Sequence, residues 1–127
     1  MPALVGWENE GQTIVRQQLI GDWTFEDYMS SAKETQALTA SVPHTVHVII
    51  DFSRSRSYPT KMLSAGSSLD RNLPPNQGML LVVQVPPYIR AVFDIMSKLY
   101  PKIAENSFEV NSLEEALAKI RQHEAHS

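Results

Sequence analysis

The sequence predicts an α/β fold: a mixed sheet of about five strands, opened by a hairpin, continued by parallel strand–helix units and covered by about four helices. Three observations carry this. The runs "TVHVIIDF" and "GMLLVVQV" are apolar on both faces, as strands covered on both sides must be. Each is followed by apolar residues at helical spacing. Prolines stand between these segments, at Pro43, Pro59, Pro86, Pro87 and Pro101, where they restart or stop the chain.

Taken in order, "LVGWENEGQTIVRQQLIGDW" reads as two extended segments around a turn near Asn9–Gly11. In the second segment Thr13, Val15, Gln17 and Leu19 share one face, and Ile14, Arg16, Gln18 and Ile20 the other. Both rows are mixed, which suits a strand near a sheet edge. Gly21 breaks the pattern. Thr24 is placed to cap a helix with Asp27 in its first turn. Phe25, Tyr28, Met29, Ala32 and Gln36 then fall at i, i+3, i+4, i+7 and i+11, an amphipathic helix reaching about Thr39.

After "TVHVIIDF", Pro59 fits the first turn of a second helix with the stripe Met62, Gly66, Leu69 and Leu73, ended by "LPPNQG". After "GMLLVVQV", Pro86–Pro87 starts a third helix whose buried face is Ile89, Val92, Phe93, Met96 and Tyr100, and Pro101 stops it. "SFEV" is a short strand. "SLEE" is a capping box in which Ser112 accepts from Glu115, and Leu113, Ala116, Leu117 and Ile120 line the last helix.

The 127 residues fit one domain, 1–127, with a polar tail from about 122. A net charge of −3 argues against nucleic acid, whose phosphates favour a basic surface. No apolar run approaches the roughly 20 residues that span a bilayer. "MPALVGWENE" lacks the basic start and apolar stretch of a signal peptide. With no cysteine there is no disulfide, thiolate nucleophile or Cys-ligated metal. A cytoplasmic protein without a cofactor is the plain reading.

In open α/β sheets, function gathers where parallel strands end and loops lead into helices. Three such loops are expected: Asp51 to Pro59, Gln84 to Pro87, and Asn111–Ser112. The first is the richest. Asp51 ends the strand, Arg54, Arg56 and Lys61 add positive charge, and Ser53, Ser55, Ser57 and Thr60 add hydroxyls. Such a loop suits an anion, a protein partner or a phosphoryl group, with Ser57 and Thr60 the candidate acceptors. The same residue types also cap helices and close turns.

The layout resembles the STAS domain of bacterial anti-sigma-factor antagonists, and within it the sporulation stage II AA-like branch, grouped with lipid-binding Sec14-type domains. "LIGDWTFEDY" is similar to that family's second strand leading through a glycine into its first helix. "VIIDFS" is similar to its strand ending in Asp, an apolar residue and Ser, and "FEVNSLEEALAKI" to its closing strand and helix. The resemblance spans nearly the whole chain. It implies a STAS-like sheet and a regulatory, protein-binding role. Phosphorylated members carry Asp-Ser-Ser-Gly a few residues after the strand's Asp. Here that stretch is Pro59, Thr60, Lys61 and Met62: the acid and the glycine are missing, and Thr60 stands nearest the acceptor position.

Other constellations point elsewhere. His44 and His47 face opposite ways along an extended segment, and His123 and His126 sit in a tail expected to fray, so no zinc site is expected. There is no G-x-S-x-G elbow, Walker A or G-x-G-x-x-G motif. Glu8 with Glu10, and Glu114 with Glu115, do not build a cleft pair. The expectation is a non-enzymatic regulatory domain that meets a protein partner through the Asp51–Lys61 loop. The alternative is a carrier with an apolar pocket for a small molecule or lipid. It would be lined by Trp7, Trp23, Phe25 and Tyr28, and by Met29, Met62, Met79 and Met96 sharing the same space; the plainer expectation is that Trp7 and Trp23, near opposite ends of the hairpin, meet across it as cross-strand packing. Exposed edge strands leave a homodimer open.

Overall fold

In the computed structural model, residues 2–65, 71–101 and 105–125 are described. The main sheet has five strands: β1 Ala3–Trp7, β2 Ile14–Leu19, β4 Val46–Asp51, β6 Gln77–Val83 and β7 Ser107–Val110, in the order β1-β2-β4-β6-β7. The first pair is antiparallel, and the other three pairings are parallel. The two apolar ribbons therefore run side by side in the same direction, as their composition predicts. A second, two-stranded parallel sheet joins β3 Gly21–Asp22 to β5 Ser55–Ser57. No periodicity announces it, because strands of two and three residues have none.

Helices α1, Phe25–Ala40, and α2, Pro87–Leu99, cover one face of the sheet, and α3, Leu113–Ala125, covers the other. The alternation along each strand divides the core accordingly. Leu19, Val48, Ile50 and Val82 pack beneath α1 and α2 with Tyr28, Ile89 and Met96. Ile14, Ile49, Met79, Leu81, Val83 and Val110 pack beneath α3 with Ala116 and Ile120. Burying one such aliphatic side chain stabilises the fold by about 1.5–3 kcal/mol. Because the methionines divide between these faces, with Met79 under α3 and Met62 and Met96 opposite, they do not share one space.

The helix starts follow their caps. The Asp27 N–H donates to Thr24 Oγ1 at 3.1 Å, and the Thr24 N–H to Asp27 Oδ2 at 2.9 Å, a complete capping box. Ser112 Oγ accepts from the Glu115 N–H at 3.1 Å, but the Glu115 carboxylate reaches the Asn111 N–H at 2.8 Å, one residue before the expected Ser112 N–H. α2 begins at Pro87 and ends at Leu99, two residues before Pro101.

The buried face of α1 differs from its apolar stripe. Ser31, Thr35 and Thr39 are buried with Tyr28 and Ala32. Each hydroxyl donates back to a carbonyl of its own helix, which makes burial tolerable. Gln17, 2% exposed on β2, donates to Ser31 Oγ at 2.7 Å.

Three expectations are corrected. The second helix does not start at Pro59: the chain enters a 3-10 turn at Met62–Ala65, and Gly66 and Leu69 of the expected stripe lie outside the described residues. Three α-helices of the expected four or so are thus defined among the described residues. Trp7 pairs with Val15, whereas Trp23 follows Leu19, whose partner is Ala3, so the two indoles sit at opposite ends of the hairpin and do not meet. The polar tail expected from about 122 is helical through Ala125, and His123 packs edge-on against His47 with ring centroids 5.6 Å apart. His126 lies outside the described residues.

Candidate functional site

The register aligns Asp51 with Val83 and Val83 with Val110. The loops after those residues therefore open on one edge of the sheet. Gln84 turns the second at φ +55, with its N–H donating to the Val110 carbonyl at 2.9 Å. Close by, Arg90 of α2 reaches Glu109 of β7 through Nε at 2.8 Å, and this bond holds the guanidinium further towards its charged form.

The loop after β4 is built by local bonds. Asp51, only 7% exposed, accepts the Ser53 N–H on Oδ1 at 2.9 Å, an Asx turn. The Ser55 N–H donates to the Phe52 carbonyl at 3.0 Å and turns the chain. Residues 55–57 then run beside Gly21–Asp22, with the Gly21 N–H donating to the Arg54 carbonyl at 2.8 Å. Gly21 takes φ +66, a left-handed conformation that costs glycine nothing, so the break after β2 has a definite structural use.

Several hydroxyls and charges of this loop are already engaged. Ser55 Oγ donates to the Leu19 carbonyl at 2.6 Å and accepts from Trp23 Nε1 at 3.0 Å. It is a structural clamp. Ser57 Oγ donates to Asp22 Oδ1 at 2.8 Å, and Arg56 Nε lies 3.8 Å from Asp22 Oδ2, with both charged side chains well exposed. Asp22 thus offsets part of the positive charge read from the sequence. Ser53, Arg54, Arg56, Ser57, Thr60 and Lys61 all face solvent. Thr60 and Lys61 precede the 3-10 turn at Met62–Ala65.

Beneath the loop lies an aromatic cluster. Trp23 has its ring centroid 5.9 Å from each of Tyr28, Phe52 and Tyr58. Trp23, Tyr28 and Phe52 are at most 3% exposed, and burial pushes the Tyr28 phenol up to about 12. The cluster is a packed floor beneath a surface concavity of about 470 Å³ between the start of α1 and residues 57–61. The crevice between α1 and α2 measures about 60 Å³, and the groove between α2 and β7 about 200 Å³. Small-molecule pockets run to about 300–1,000 Å³.

One residue that sequence reasoning left out of the site approaches Asp51. Arg16 Nε lies 3.9 Å from Asp51 Oδ2, and Arg16 Nη1 donates to Glu8 at 3.1 Å. The signal was faint: Arg16 shares the row of Ile14 and pairs with Ile49, which places it on the same side as Asp51. His44 Nε2 donates to the Gln12 carbonyl at 2.8 Å. Among the described residues, no three His, Cys, Asp or Glu side chains gather to hold a metal ion. Nor is any helix there long and apolar enough to cross a membrane.

No family profile matches the chain, and no curated protein matches it in sequence. Solved structures do match in shape. SpoIIAA, the Bacillus cell fate determinant in its phosphorylated form, is 16% identical with a TM-score of 0.63, over 93% of this chain and 98% of that one. SpoIIAA in its unphosphorylated form, described as an anti-sigma factor antagonist, is 18% identical with a TM-score of 0.65, over 94% and 97%. A STAS domain protein of Planctomyces limnophilus, an anti-sigma-factor antagonist, is 11% identical with a TM-score of 0.59, over 91% and 96%. Across nearly its whole length, this chain has the STAS fold of the anti-sigma-factor antagonists.

Proposed function

We propose that the chain is a non-catalytic regulatory domain that meets a protein partner through the Asp51–Lys61 loop. The observation that carries this reading is the pinned β3–β5 ribbon on a STAS fold. A loop fixed by Ser55 and the Gly21–Arg54 bond presents Arg54 and Lys61 in set positions, and pre-organisation lowers the entropy cost of binding. The concavity beside it has an aromatic floor and a rim carrying Glu26 and Lys61, a mixture suited to a protein surface.

Regulation at this surface would act through charge. A phosphoryl group on Thr60 would add nearly two negative charges beside Lys61 and exposed to solvent. On Ser57 it would face Asp22 and break the bond that holds the ribbon. Thr60 is therefore the better acceptor, and Ser57 the position where modification would disrupt the loop. An unphosphorylatable Thr60→Val and a charged Thr60→Glu should bracket the two states.

The test is site-specific photo-crosslinking in the cells that express the protein. A crosslinking residue at Arg54 or Lys61 should give a discrete protein adduct, which Thr60→Glu changes in yield. The same residue at Glu10 or Ser41, at the opposite pole, should give none. Adducts of equal yield at both poles, or only at Glu10 and Ser41, would overturn the proposal.

A further inference from the structure

At the pole away from the loop, β4 and β6 fall out of step. Val46 pairs with Gln77 but Val48 with Leu80, so Gly78 and Met79 together oppose the single residue His47. Such a bulge removes an N–H from the ladder. His47 supplies the missing acceptor: its Nδ1 takes the Met79 N–H at 3.0 Å in a buried setting. Its Nε2 points to α3, where the Glu124 carboxylate lies 4.0 Å away, and its ring meets that of His123. The imidazole is 3% exposed, and a Cβ on Gly78 would come within 2.6 Å of Nδ1. The site is shaped around a ring with a bare Nδ1.

We infer that His47 is a proton-sensitive latch joining the β4–β6 irregularity to the last turn of α3. The neutral ring carries its proton on Nε2, since Nδ1 must accept. A second proton can go only to Nδ1, where it would confront the Met79 N–H, donor against donor. The buried amide would lose its partner, and the cation would sit where water scarcely reaches. The charged or titratable groups facing the ring are Glu124 and His123, both from α3. β2 and β6 oppose it with Ile14, Gly78 and Met79, none of which titrates. Glu124 favours the cation, whereas burial first and His123 second disfavour it, and burial dominates: the ring is held below its ordinary value of 6.5.

The sign follows. Unfolded, His47 gains its proton near pH 6.5; folded, it resists until the pH is lower. The stability it contributes is complete above 6.5 and is lost as pH falls from there to the lowered folded value. Within that window the unfolding equilibrium constant rises roughly tenfold per pH unit from this group alone.

The test measures urea unfolding of the full chain at several pH values above and below the ordinary histidine range, for the wild type and His47→Asn. Asparagine can place an amide oxygen where Nδ1 stood and does not titrate. As pH falls through the window, the wild type should show the roughly tenfold-per-unit rise in the unfolding constant that the variant lacks, whatever the variant's absolute stability. Coincident pH profiles would overturn the latch. If the variant does not fold, ring ¹⁵N shifts of the wild type decide. A bare Nδ1 and a midpoint below the ordinary value support the inference, and a protonated Nδ1 or a midpoint at or above that value overturns it.

Discussion

Ser55 stands in a row of three alternating serines, and the structure assigns each a different weight. Its hydroxyl joins the Leu19 carbonyl at 2.6 Å and the Trp23 indole N–H at 3.0 Å. Ser55→Ala deletes both bonds, each contributing about 1 kcal/mol net, and leaves a donor in a buried indole without its partner. Because Ser55 is half-buried, water can replace part of what is lost. The expected cost is about 2 kcal/mol, or about a 30-fold rise in the unfolding equilibrium constant. Ser57→Ala loses one exposed bond to Asp22 and should cost about 0.5 kcal/mol or less. Ser53→Ala alters an exposed hydroxyl and should stay within about 0.5 kcal/mol of the wild type. Urea melts of the three variants, with Trp23 fluorescence as the probe, give the ranking directly. If Ser55→Ala is no worse than Ser53→Ala, the hydroxyl is not the clamp described and the fixed loop loses its basis.

Gly78→Ala should lower stability by about 1–2 kcal/mol in a urea melt, because overpacking against His47 outweighs the smaller benefit of an unfolded chain with less entropy. Asp51→Asn and Arg16→Met should couple in a double-mutant cycle by about 0.5 kcal/mol or more, as partners in contact do. A coupling near zero would show that their 3.9 Å approach has no energetic consequence. Asn76 Nδ2 contacts the carbonyls of Thr39, Val42 and His44 at 2.7, 3.1 and 2.8 Å. Asn76→Asp should therefore destabilise more than Asn76→Ala, since it aims a carboxylate at three acceptors; thermal melts of the pair decide.

Much of the fold was legible because its causes are local. Val48 to Ile50 and Met79 to Val83 are apolar on both faces, and only a covered strand explains that. Thr24 with Asp27, and Ser112 with Glu115, cap their helices within a few residues of chain. The unseen parts depend on distant partners. Gly21 meets Arg54 across 33 residues, and no pattern in either segment encodes the pairing. Ser55 carries the same hydroxyl as Ser53 and Ser57, and only the placement of Trp23 separates a clamp from an exposed group. The apolar stripe of α1 does not include Ser31, Thr35 and Thr39, whose burial depends on hydroxyls that bond carbonyls of their own helix. The division of the methionines was recoverable in part, since Met79, Leu81 and Val83 alternate with Leu80 and Val82 along one strand. The candidate loop stands out along the chain by its serines and arginines. Which of its side chains remain available to a partner required the register.

The central claim is that the Asp51–Lys61 loop is held in place by the β3–β5 ribbon and not merely tethered at its ends. Amide hydrogen exchange at Gly21 tests it most directly, because that N–H has the Arg54 carbonyl as its acceptor at 2.8 Å. Protection at Gly21 well above that of exposed turn amides such as Glu10 and Gly11, and reduced in Ser55→Ala, is the predicted result. Exchange at Gly21 as fast as at Glu10 would mean a loop without fixed geometry, and the proposed surface would be gone.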